Sequence, residues 1–366
     1  MNPDLVAVFT LTGVLAAANG ANDVSKGVAT LCGAGVVRYR AAIAWGIAAT
    51  LGGSLLSLTI ASRMSVLFTK GIVMVPPSAT FALAVLCGSI AWVSFATIRR
   101  LPVSTTHALV GSMVGAGLLA GTVLWSSIWV KVALPLLASI AVSYLLSAFL
   151  NRVTRGWPQC VCADVERADA ELSALPAGGV FANVCAPALA APTIRITAGT
   201  SAECAIHSRG QRYSLMDGAH WITSGLASFA RGLNDTPKIW AIGAFALTSD
   251  GLRGWQLLLI VAVSMALGGA LAGIRVARTL AKGVVKMNHR EGFMANLVTA
   301  VLVGEGAHLG LPMSTTHVAA GAIAGIPGSH LARLNATTLG RFLFAWAVTP
   351  VVAALIAMGT YALLRT

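Results

Sequence analysis

Ten apolar stretches separated by short polar or basic segments make up most of the chain on either side of a polar central region. In the first half they run roughly Leu5 to Leu31, Ala41 to Ala61, Ala79 to Ile98, His107 to Leu124 and Ile128 to Leu150. In the second half they run roughly Ala219 to Leu247, Gln256 to Ile274, Phe293 to Val303, Thr316 to Ile326 and Leu339 to Leu364. A helix needs about 20 apolar residues to cross a ~30 Å hydrocarbon core. Most stretches meet that length, and the short third and fourth stretches of the second half predict broken or re-entrant helices. The pattern therefore predicts an all-α membrane protein, with a first repeat over 1–150, a cytoplasmic linker over 151–213 and a second repeat over 214–366.

The halves are copies of one another. Asn19-Gly20-Ala21-Asn22-Asp23-Val24-Ser25-Lys26 returns as Arg231-Gly232-Leu233-Asn234-Asp235-Thr236-Pro237-Lys238, and Leu101-Pro102-Val103-Ser104-Thr105-Thr106-His107 returns as Leu311-Pro312-Met313-Ser314-Thr315-Thr316-His317. The first motif repeats after 212 residues (23 to 235) and the second after 210 (107 to 317). The glycine pair Gly111 and Gly115 also returns as Gly321 and Gly325, a small-xxx-small spacing that predicts close helix packing in lipid.

Composition narrows the class. At 57% hydrophobic, 10% charged and a mean hydropathy of +0.80, the chain is too apolar for a soluble domain. A net charge of +13 could suggest a nucleic-acid binder, but the basic residues fall in the gaps between apolar stretches. With ten crossings and both termini outside, predicted inner loops hold seventeen of them, including Arg38, Arg99, Arg152, Arg155, Arg290 and Arg333, whereas outer loops hold only Arg63, Lys70 and Arg253. The positive-inside rule accounts for this bias without a nucleic-acid partner. Five crossings per half is an odd number, so the repeats are expected to be inverted. The first apolar run has no basic leader and is expected to stay in the mature protein.

Polar clusters within apolar runs are costly and point to function. Gly20 before Asn22-Asp23, and Gly232 with Pro237 around Asn234-Asp235, predict helices interrupted at membrane depth. Lys26 and Lys238 lie three residues after the aspartates, on the same helix side, so each can pair with its Asp or face an anion. Two lysines and two aspartates give a site of zero net formal charge. Ser104 and Ser314 are expected to cap new helices, whose free N–H groups and positive dipole ends attract oxyanions. His107 and His317 could carry protons or pack as neutral rings. In the central region Cys160, Cys162, Cys185 and Cys204 match no tight zinc spacing, and no metal site is expected. Duplicated motifs fit a transporter with a shared midplane site better than an intramembrane hydrolase or a scaffold, so the chain is not expected to be an enzyme.

The two motifs, present in both halves and in order, resemble the inorganic phosphate transporter (PiT) family. The resemblance implies an inverted-repeat secondary transporter, commonly dimeric, that takes up inorganic phosphate with sodium or protons across the bacterial cytoplasmic membrane, here the cell inner membrane. It implies two inverted-topology repeats whose Ser-Thr-Thr-His helix tips meet at the bilayer midplane. It implies substrate ligands at Asp23, Ser104, Thr105, Thr106, Asp235, Ser314, Thr315 and Thr316, and coupling or accessory roles for Asn22, Lys26, Asn234 and Lys238. No cofactor is implied beyond the coupling ion, H⁺ or Na⁺. Two departures point away from sodium. Lysines replace the Asn that many sodium-coupled relatives carry three residues after the Asp, and Thr50 stands where many carry a Glu, with Met265 or Ala266 as its second-half match. Proton coupling through Asp23 or Asp235 is the preferred expectation, and sulfate is the alternative substrate.

Overall fold

The computed structural model describes residues 3–158, 160–166, 193–200, 211–245, 253–328 and 330–366. Each predicted apolar stretch carries a helix. These are α1 (Pro3–Gly33), α2 (Tyr39–Ile60), α4 (Ala79–Ile98), α5 (Thr105–Ala120), α6 (Trp125–Val153), α7 (Leu215–Ala244), α8 (Gly254–Gly283), α9 (His289–Leu309), α10 (Thr315–Gly325) and α11 (Ala336–Leu364). A further short helix, α3 (Ser62–Lys70), precedes α4 and has no predicted counterpart. Among the described residues seven helices, α1, α2, α4, α6, α8, α9 and α11, are long and apolar enough to cross a membrane. α7 matches them in length at 30 residues but carries Asp217, Arg231, Asp235 and Lys238, whereas α5 and α10 are only 16 and 11 residues long.

Two expectations fail. The motif-bearing helices are not broken: α1 runs without interruption through Asn22 and Asp23, and α7 runs through Pro237. Most polar side chains of this face are bonded to one another or to neighbouring elements, so the backbone does not have to open to solvate them, and packing around the buried Pro237 holds α7 helical. Nor is the third helix of the second half short. α9 has 21 residues, because its start is set by a capping box rather than by where hydropathy rises: Asn288 Oδ1 accepts from Glu291 N at 2.9 Å and Glu291 Oε2 from Asn288 N at 2.9 Å.

The chain divides into two compact units, one of residues Met1–Arg155 and His220–Thr366, the other of Gly156–Ala219. The smaller unit holds an antiparallel three-stranded sheet of β3 (Cys160–Glu166), β4 (Thr193–Gly199) and β5 (Gln211–Ser214) in the order β4-β3-β5, in a region expected only to link the repeats. Cys160 and Cys162 lie on β3, while Cys185 and Cys204 lie outside the described residues.

In the larger unit the glycine motifs set the packing, and each tip helix seats on the last helix of the other repeat. A Cβ added at Gly111 would lie 2.3 Å from Pro350 O, and one at Gly115 2.1 Å from Ala354 O, so α5 lies directly on α11. α10 lies on α6 in the same way, with Gly325 2.3 Å from Tyr144 O and Gly321 2.2 Å from Ser143 Oγ. The contact surface itself repeats at 210 residues, because Pro350 and Ala354 answer to Ile140 and Tyr144. β1 (Val73–Met74) pairs with β2 (Thr122–Val123), tying the approach to α4 to the end of α5. α1 is the central element, packing along α8 and against α2, α4, α9 and α10.

Candidate functional site

The polar side chains of the first motif point into the larger unit and are almost wholly buried, at 0% exposure for Asn19 and Asn22 and 1% for Asp23 and Lys26. Lys26 Nζ donates to Asp23 Oδ1, to Asn22 Oδ1 at 3.0 Å and to Val103 O at 3.0 Å. All three ammonium protons can therefore be satisfied within one copy. Asn22 fastens the α4–α5 connection to α1: its Nδ2 donates to Thr97 Oγ1 and Leu101 O, and its Oδ1 accepts from Val103 N at 3.2 Å.

The second motif repeats this plan more loosely. Asn234 Nδ2 donates to Met313 O at 2.8 Å and to Asp235 Oδ1 at 2.9 Å. Lys238 Nζ donates to Met313 O at 3.0 Å but stands 3.5 Å from Asp235 Oδ1, and it reaches Thr106 Oγ1 of the first copy at 2.8 Å.

The copies meet side by side. Asn19 Nδ2 lies 3.2 Å from Asp23 Oδ2, 3.2 Å from Asp235 Oδ2 and 3.0 Å from Thr105 Oγ1. Thr315 Oγ1 lies 3.5 Å from Asp23 Oδ2, and Thr316 Oγ1 donates to Val103 O at 2.7 Å. Arg231, the counterpart of Asn19 at a separation of 212 residues (19 to 231), donates to Asn19 Oδ1 from Nη1 at 3.1 Å and to Thr50 Oγ1 from Nη2 at 2.9 Å. Its guanidinium is 2% exposed, and its Nε has no partner among the described residues. A third buried cation therefore joins two lysines and two aspartates. The expected formal charge of zero is corrected to +1, because the copies do not carry the same residue at the head of the motif.

Ser104 and Ser314 each cap a helix. Ser104 Oγ accepts from His107 N at 3.3 Å and Ser314 Oγ from His317 N at 3.2 Å, which by helix geometry leaves the first N–H groups of α5 and α10 unused within their helices. His107 and His317 pack against each other as tilted rings with centroids 4.7 Å apart, and His317 also packs on Trp346 at 4.2 Å. His317 Nδ1 lies 3.4 Å from Leu136 O and Trp346 Nε1 donates to Pro102 O, so this pair is built into the packing behind the tips.

A family model described as the phosphate transporter family matches residues 19–357. The chain belongs to the phosphate transporter family. It is 28% identical to a probable low-affinity inorganic phosphate transporter of Mycobacterium bovis over 95% of this chain and 74% of that protein. A probable low-affinity inorganic phosphate transporter of Rhizobium meliloti is 26% identical over 96% of this chain and 95% of the relative. A solved structure described as the sodium-dependent phosphate transporter superposes with a TM-score of 0.78 over 99% of each chain at 22% identity, which establishes the shared fold. With seven helices among the described residues long and apolar enough to span a bilayer, this phosphate transporter family member is a multi-pass membrane protein.

Within this family member, all eight residues expected to contact substrate and the four expected accessory residues are buried in the larger unit. Sequence reasoning missed Arg231, Asn19 and the contact of Arg231 with Thr50. The signal was present: Arg231 heads the second copy of the motif inside an apolar stretch, where a lone cation is expensive, and its counterpart Asn19 is polar too. The interrupted look of the motif drew attention to the Asn-Asp pairs instead.

Proposed function

We propose that this protein is a secondary active transporter that takes up inorganic phosphate across the cytoplasmic membrane in symport with protons. The observation that carries the reading is the buried cluster of Asp23, Lys26, Arg231, Asp235 and Lys238, flanked by two hydroxyl-capped helix tips, one from each copy. Thr105, Thr106, Thr315 and Thr316 supply hydroxyls that can turn toward an oxyanion, Ser104 and Ser314 fix the tips, and the helix starts add N–H donors. Asn22 and Asn234 hold each tip to its motif helix. The names of the bacterial relatives and of the solved neighbour agree on phosphate.

Charge supports protons over sodium. A formal +1 site is neutralised by one H₂PO₄⁻, or by HPO₄²⁻ together with one proton, so the built-in guanidinium removes the need for a second bound cation. Lys26 and Lys238 repel one further.

Several features support inverted repeats whose tips meet at the midplane. The 16 residues of α5 span about 24 Å, and the four extended residues before it add about 13 Å, together the length of a crossing. The 11 residues of α10 span about 17 Å and follow a Leu311–Ser314 segment that turns at Pro312, where Met313 N donates to Leu311 O at 2.7 Å. Each half then makes five crossings and the second enters from the opposite side.

Asp235 accepts from Asn234 and Asn19, but its lysine stands off at 3.5 Å, which makes it the better acceptor for the hydroxyl that phosphate carries and sulfate lacks. Asp23 is engaged by Lys26, Asn19 and Thr315, and a site in which both carboxylates were so occupied would favour sulfate. The test is uptake of radiolabelled phosphate and sulfate into proteoliposomes under separately imposed gradients. Phosphate accumulation driven by a proton gradient without sodium is expected. Accumulation driven by sodium with pH clamped equal on both sides, or sulfate preferred over phosphate, overturns the reading.

A further inference from the structure

Away from the buried cluster, a cavity of about 340 Å³ opens where the end of α6, the start of α9 and the 326–333 connection come together. Arg152, Arg155, Arg290 and Arg333 line it with a single carboxylate, Glu291. Arg333 spends its charge on Glu291 through two bonds of 2.8 and 3.0 Å. Among the described residues the other three guanidinium groups make no ion pair with a carboxylate. Arg155 Nη2 lies 3.3 Å from His330 Nε2.

Arg290 is only 7% exposed. Its Nη1 is taken by Thr154 O, by Thr154 Oγ1 at 3.1 Å and by Asn151 O at 3.4 Å, while its Nε has no partner among the described residues. Asn151, also 7% exposed, donates from Nδ2 to Ser147 O, and its Oδ1 accepts nothing among the described residues. Two residues that line one basic cavity thus carry a buried donor and a buried acceptor without partners among the described residues. Leaving such groups unpaired is unfavourable, so each calls for a ligand atom.

The repeat supplies an internal control. Ser78 caps α4 just as Asn288, 210 residues later, caps α9. At the same separation Thr80, Phe81 and Val123 stand where Arg290, Glu291 and Arg333 are. The fold is therefore built once without these charges. The positive-inside rule explains arginines in loops but not a buried Arg290 converging with two others.

We infer that this cavity binds the headgroup of an acidic glycerophospholipid with a hydroxylated headgroup, its phosphodiester held by Arg152, Arg155 and Arg290 and a headgroup hydroxyl donating to Asn151 Oδ1. The lipid source follows from the apolar wall. Tyr144, Ala148 and Phe149 of α6 lead into the cavity, and Leu145, Phe149 and Val153 form an exposed stripe on that helix, at 63, 59 and 62%. Acyl chains lying on this stripe place the phosphate at the arginines. Basic pockets between membrane helices recognise acidic headgroups in this way.

The test titrates the purified full-length protein in detergent with dioleoyl-phosphatidylglycerol, dioleoyl-phosphatidylcholine and inorganic phosphate, reading adducts by native mass spectrometry. Phosphatidylglycerol is expected to bind well above phosphatidylcholine. The Arg152→Gln/Arg155→Gln double variant, altered only at exposed positions, is expected to lose about 30-fold in phosphatidylglycerol affinity with phosphatidylcholine unchanged. Asn151→Leu is expected to weaken phosphatidylglycerol but not dioleoyl-phosphatidic acid. Equal binding of the two first lipids, an unaffected double variant, or displacement of phosphatidylglycerol by inorganic phosphate would each overturn the assignment, the last in favour of a free-anion site.

Discussion

The two copies of the motif helix keep the same acid, amide and lysine at matching positions but part at the head of the motif, where α1 carries Asn19 and α7 carries Arg231. These two side chains touch, so the difference sits where the copies meet. The first copy is closed on itself: Lys26 finds Asp23, Asn22 and Val103 O without leaving its own repeat. The second copy is open, with Lys238 reaching across to Thr106 and standing off from Asp235. Duplication thus delivered one scaffold twice, and a single Asn-to-Arg difference gives the assembled site its net positive charge. The first copy is the anchored half and the second the looser one.

Removing a carboxylate tests this asymmetry most severely. Asp23→Asn leaves the Lys26 ammonium buried without its counter-charge, a loss of the size that breaking a buried ion pair produces, about 3–5 kcal/mol. Initial rates of phosphate uptake in proteoliposomes should fall at least about a hundredfold, with the protein still eluting as a single species in detergent. Asp235→Asn should cost less, about tenfold, since Lys238 retains Thr106 and Met313 O and the ion pair that is lost is the longer one, at 3.5 Å. Equal losses in both variants would erase the distinction between anchored and open halves.

The next test makes the copies alike. Arg231→Asn restores in α7 the residue that α1 carries and lowers the formal charge of the cluster from +1 to zero. A hydrogen bond to a charged group contributes about 1.5–3 kcal/mol, so KM for phosphate should rise about tenfold or more. Uptake should also begin to respond to an imposed sodium gradient. An unchanged KM would mean that the guanidinium serves packing alone.

How much of this could be read from the chain depended on repetition. Positions of the helices followed from hydropathy, and the glycine pairs marked the tight packing faces, yet nothing local in Gly111 or Gly321 says that its partner lies in the other repeat. Hydropathy alone understates helix α9, because Glu291, Asn296 and Glu305 dilute its apolarity, whereas its start is set by the Asn288 cap. Continuity through Pro237 was illegible for a related reason: a proline's local cost is visible in sequence, but the packing that offsets it, Gly232 against Thr50 O and Thr236 Oγ1 bonded to Ser54 Oγ at 2.8 Å, comes from α2. Every residue expected in the cluster was nameable because polar residues in apolar runs are conspicuous. Arg231 was as conspicuous, and only its equivalence to Asn19 revealed its role.

A smaller contrast lies in the tip helices. Gly111→Ala would drive a methyl into Pro350 O, a backbone atom that cannot rotate away, and overpacking of this kind costs about 1–3 kcal/mol. Gly321→Ala meets Ser143 Oγ first, with Ile140 O behind it at 2.9 Å, and the hydroxyl can change rotamer. Thermal unfolding in detergent should therefore shift down more for Gly111→Ala than for Gly321→Ala. The reverse order would show that α10 on α6, not α5 on α11, is the tighter seat.

The smallest effect separates the two turns that lead into the tips. α4 and α9 end in the same way: Arg100 N and Leu101 N donate to Thr97 O and Ala96 O, and 210 residues later Gly310 N and Leu311 N donate to Ala307 O and Gly306 O. Both turns need a left-handed residue, and φ is +59° at Arg100 and +74° at Gly310. Glycine adopts this conformation freely, whereas a side chain there costs about 1–2 kcal/mol. Arg100→Gly should consequently stabilise the protein by about 1 kcal/mol, visible as a small rise in unfolding temperature. Gly310→Ala should lower it, both for the backbone conformation and because the added Cβ would lie 2.7 Å from Arg63 Cβ. If Arg100→Gly instead destabilises, the arginine side chain contributes more at its membrane surface than the strained backbone costs, and the first copy has kept a charge there at the expense of its turn.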